Sequence, residues 1–118
     1  MLFTTFKAGA NEYKLRLTAS AMFEVEKKLG ENPLNSFINI SDSQVPKMST
    51  MITVLWGAMQ KFQHGITMEA ACDIYDEFID DGNTMMDLIP ILIELFKASG
   101  FMTADTEDAP EDENEKNA

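Results

Sequence analysis

Residues 84–101, TMMDLIPILIELFKASGF, form the most apolar stretch of the chain, and their reading decides the fold. Met85, Met86, Leu88, Ile89, Ile91, Leu92, Ile93, Leu95 and Phe96 leave almost no polar side on a helical projection. Both ends are marked. Thr84 followed by Asp87 three residues later is a capping-box pattern. Gly100 suits the left-handed position after a last helical turn, which puts Phe101 where it can pack back on Phe96. Pro90 removes one backbone donor inside the helix and predicts a kink. With Asp87, Glu94 and Lys97 inside about 18 residues, the stretch is a poor membrane span. A helix apolar nearly all round must be covered on several sides. Either the whole helix is core, or one stripe faces the core while another, with Met85, Met86, Ile89, Ile93 and Phe96, faces a partner chain.

Working upstream, Gly82-Asn83 reads as a turn, and Thr67 caps a helix over Met68–Asp80. Its apolar face is Met68, Ala71, Cys72, Tyr75, Phe78 and Ile79. Asp73, Asp76, Glu77 and Asp80 form an acidic face, the second candidate for partner contact. A helix over 46–64 is predicted by Met48, Met51, Ile52, Leu55, Met59 and Phe62, with Trp56 beside the stripe and Gly65 ending it. Thr18 caps Ala19–Leu29, in which Met22, Val25 and Leu29 share a face, Glu24 and Lys28 can pair, and Gly30 is the stop. Asn32-Pro33 opens a short helix through Ile38, with Phe37 and Ile38 expected against the core, and 40–44 is a polar loop.

The first residues change period. LFTTF at 2–6 is rich in β-formers, 7–11 holds the turn residues Gly9 and Asn11, and 12–17 alternates Tyr13, Leu15 and Leu17 against Lys14 and Arg16. That is a β-hairpin with one wet face. Two strands alone are marginal in water, so the hairpin must lean on helices or on another subunit. The expected fold is mainly α: an N-terminal β-hairpin followed by a small bundle of about four to five helices over 1–102. Residues 103–118 have no large apolar side chain and read as a disordered acidic tail, dispensable for folding.

The chain has 118 residues and a net charge of −11, of which the tail carries −6 and the body −5. Such a chain is a poor ligand for nucleic-acid phosphates or anionic membranes. A basic protein partner fits better. Imitation of nucleic acid, or another small inhibitory protein-binding role, is the alternative. No apolar segment of signal-peptide type follows Lys7. A single cysteine, Cys72, forbids an intramolecular disulfide and suits a reduced cytoplasm. Nine methionines suit an adaptable core or binding surface.

Candidate chemistry is thin. His64 is the only histidine and is expected in a last helical turn; no triad or zinc set forms around it and Cys72, which reads as an inert core thiol. Asp76 and Asp80 are spaced to share an ion, but a calcium-loop register with Gly82 in the sixth position puts Ile79 third and Leu88 twelfth, so that reading fails. Asp80 and Asp81 sit at a helix C-terminus, where the dipole disfavours negative charge, and a basic partner would explain them. No catalytic, cofactor or metal site is expected, and no enzyme.

The run YKLRLTASAMFEVEKKLGENPLNSF at 13–37 resembles tail assembly chaperones of long-tailed phages and prophages of Gram-positive bacteria: a strand, a helix with Glu26 and a closing Leu29-Gly30, then Asn32-Pro33-Leu34. TVLWGAMQKFQHGITMEAACDIYDEFIDDG at 53–82 is similar to them too, as is the closing helix ending in Gly100-Phe101. The resemblance lies in the ordered combination over about 1–102. It implies a non-enzymatic protein that coats the tape measure protein in the cytoplasm of the infected or lysogenic cell until tail-tube subunits polymerise around it, and that is absent from the finished virion. It also implies a longer form, made by programmed frameshift, that recruits the tail tube protein. Glu115-Lys116-Asn117 is compatible with codons reading A-AAA-AAC, a site for such a slip. Homo-oligomers, rings or spirals among them, are expected because a lone hairpin and an apolar helix both want covering.

Overall fold

The computed structural model describes residues 2–41 and 44–103. Strands β1 (Thr4–Ala8) and β2 (Asn11–Leu15) are followed by helices α1 (Ala19–Leu29), α2 (Leu34–Ile38), α3 (Met48–Met59), α4 (Met68–Asp80) and α5 (Met85–Ala98). The protein is a mainly α domain with an N-terminal β-hairpin. Residues 104–118, with most of the expected tail and Glu115-Lys116-Asn117, lie outside the described residues, as do 42–43 of the polar loop.

The hairpin is antiparallel, with Thr4 opposite Leu15, Phe6 opposite Tyr13 and Ala8 opposite Asn11. Its turn is Gly9-Ala10, tighter than the predicted 7–11, and Gly9 takes φ 63°, which glycine adopts without strain. Alternation sends Phe6, Ala8, Leu15 and Leu17 inward. The Phe6 ring meets Phe78 of α4 at 5.0 Å, and the Arg16 N–H donates to the Ala58 carbonyl of α3 at 2.9 Å. The hairpin therefore leans on helices of its own chain.

Helix α5 carries the ends its sequence promises. The Asp87 carboxylate accepts from the Thr84 N–H at 2.8 Å. At the other end Gly100 has φ 88°, and the Phe101 N–H donates to the Phe96 carbonyl at 2.8 Å while the Gly100 N–H donates to that of Lys97. This is the Schellman pattern, which satisfies carbonyls the helix would otherwise leave unpaired. The helix continues through Pro90. Pro90 and Met86 are both exposed, so water can reach the Met86 carbonyl that the proline leaves without its donor.

Helix α3 is the wall against which α1, α4 and α5 pack. At Gly57 the approach of α1 is so close that an added Cβ would overlap Val25 Cγ2. The helix ends at Met59, short of the predicted 64, where the Gln60 N–H turns to the Gly57 carbonyl at 3.3 Å and glutamine side chains add bonds to the last carbonyls. Gln60 Nε2 donates to the Trp56 and Ile66 carbonyls at 3.1 and 3.0 Å, and Gln63 Nε2 to that of Met59 at 2.9 Å. Phe62 and His64 thus fall in an irregular turn, and His64 is exposed there and not in a last helical turn.

Two smaller expectations also fail. The Glu24 carboxylate lies 3.9 Å from Lys27, not Lys28, whose ammonium instead sits 4.9 Å from the Trp56 ring centre. In α2, entered through an Asn32 Oδ1 bond to the Leu34 N–H, Phe37 is buried but Ile38 is 64% exposed. A single helical turn and a half can turn only one of two adjacent side chains inward.

Candidate functional site

Two surfaces among the described residues bear on the candidate site. The first joins the outer face of α4 to the start of α5. Helix α4 is capped by Thr67, whose hydroxyl accepts from the Ala70 N–H at 3.0 Å, and it buries Ala71, Tyr75 and Phe78. Asp73, Asp76, Glu77 and Asp80, three or four residues apart, fall together on the exposed side. Among the described residues none of them has a basic ion-pair partner. Burial, and after it the Asp76 carboxylate, raises the Tyr75 phenol above its ordinary pKa. Cys72, expected in the core, is exposed: it lies one residue past Ala71, and 100° of helical rotation turns it to solvent.

Asp81 has an explanation inside the fold. Its carboxylate accepts from the Gly9 N–H at 2.8 Å, so the hairpin turn supplies the positive dipole that the helix end lacks. Glu77 presses on the same turn, where a Cβ on Gly9 would come within 2.9 Å of Glu77 Oε1. Among the described residues Asp80 makes no such contact, and it is exposed.

The five α5 residues singled out for a partner separate. Met86 is 52% exposed, Met85 and Ile93 are half-buried, and Ile89 and Phe96 belong to the core, Phe96 meeting Phe37 of α2 at 5.1 Å. The second stripe is largely taken up because β1 and α3 both pack on α5 and α2 adds Phe37. What α5 leaves for a partner is Met86, at the corner where α4 hands over to α5.

The second surface was not among the sequence candidates. An open groove of about 580 Å³ runs between the first turns of α1 and the end of α3, lined by Ser20, Ala21, Phe23, Glu24, Trp56, Gln60 and their neighbours. Phe23 is 68% exposed on its lip. The Trp56 indole N–H donates to the Ile66 carbonyl at 3.0 Å, which fixes the ring, and Lys28 covers part of it. The signal was present: Phe23 lies off the Met22, Val25, Leu29 stripe, a large aromatic on the wrong side of its helix.

Among the described residues no group of three or more His, Cys, Asp or Glu could hold a metal ion. No helix there is long and apolar enough to cross a membrane. No curated protein and no solved structure matches the chain. A family model described as a family of unknown function, DUF6096, matches residues 3–117, and since that is nearly the whole length, the chain belongs to this family.

Proposed function

We propose that this protein is a tail assembly chaperone of a long-tailed phage or prophage, which binds the tape measure protein in the host cytoplasm and keeps it soluble until the tail tube polymerises around it. The observation that carries the reading is the ordered sequence resemblance over about 1–102. The surface supports it: an acidic helix face that has no basic ion-pair partner among the described residues lies in sequence next to an exposed methionine, which suits a long helical chain with basic and apolar side chains. In this reading Asp73, Asp76, Glu77 and Asp80 meet the basic residues, and Met86, with the accessible parts of Met85 and Ile93, meets the apolar ones. Recruitment of the tail tube protein belongs to a longer, frameshifted form.

The test is co-expression with a tape measure protein of the same genome. A several-fold gain in its soluble yield, with co-purification, is the expected result. An insoluble tape measure protein beside a folded, soluble chaperone would overturn the proposal.

A further inference from the structure

We draw no further inference here: the strongest candidate, the open groove between α1 and α3 with the exposed Phe23 ring on its lip, is an apolar surface for which nothing in the structure shows what covers it.

Discussion

Helices α4 and α5 are successive, nearly equal in length at 13 and 14 residues, and opposite in use. Helix α5 buries Leu88, Ile89, Leu92, Leu95 and Phe96, and exposes Met86 and a thin edge of Asp87, Pro90 and Glu94. Helix α4 buries three residues and turns Cys72 and its acids outward. The difference shows that the most apolar segment of a small domain can be the one its own fold covers best. Where a hairpin, a short helix and a long helix all reach the same element, its apolar surface is used up by the fold. What remains for partners sits on elements with only one neighbour-covered face.

The largest effect is expected inside α5. Leu92 is fully buried, and Leu92→Ala should cost about 2–5 kcal/mol, because the lost transfer energy adds to a cavity that the surrounding helices cannot close. Chemical denaturation measures it. A loss within ~0.5 kcal/mol would mean that α5 is peripheral and that the partner-facing stripe is real.

Asp81→Ala probes the end of α4 that holds the hairpin turn. It removes the bond to the Gly9 N–H, worth about 1 kcal/mol, and relieves an unfavourable charge at a helix C-terminus, so the net loss should stay below that figure. Hydrogen exchange at the Gly9 amide should accelerate. Unchanged exchange there would show that Glu77 and packing alone hold the turn.

The smallest stability effect is expected on the surface at the α4–α5 corner. Asp76→Ser and Met86→Ser should each stay within about 0.5 kcal/mol of the parent, since both side chains are exposed. In co-expression with the tape measure protein the same two substitutions should lower its soluble yield. Large destabilisation would place these residues in the core; full retention of the yield by both would move the contact elsewhere.

Much of the fold could be read in advance because its punctuation is local. Thr18, Gly30, Thr67, Thr84, Asp87 and Gly100 fix their helix ends by bonds to residues within one or two turns, and those bonds form as read. The errors came from contacts distant in sequence or from rotation. At the end of α3, Gln60 reaches Ile66, and Gln63 also reaches the Lys14 carbonyl of β2. Asp81 finds its partner at Gly9, 72 residues away, and Ile89 and Phe96 are buried by elements that no periodicity in 84–101 can reveal. The acidic face of α4 was legible as a face. The groove was not, because a groove belongs to two helices and the sequence shows one at a time.

Hydrogen exchange across the chain, alone and in complex with the co-expressed tape measure protein, tests the division between α4 and α5 most directly. Amides of 88–96 should be strongly protected in the free protein and unchanged in the complex, while those of 73–86 should gain protection. Loss of protection over 88–96 on binding would contradict this, for it would mean that α5 opens and gives its apolar side, Ile89 and Phe96 included, to the partner.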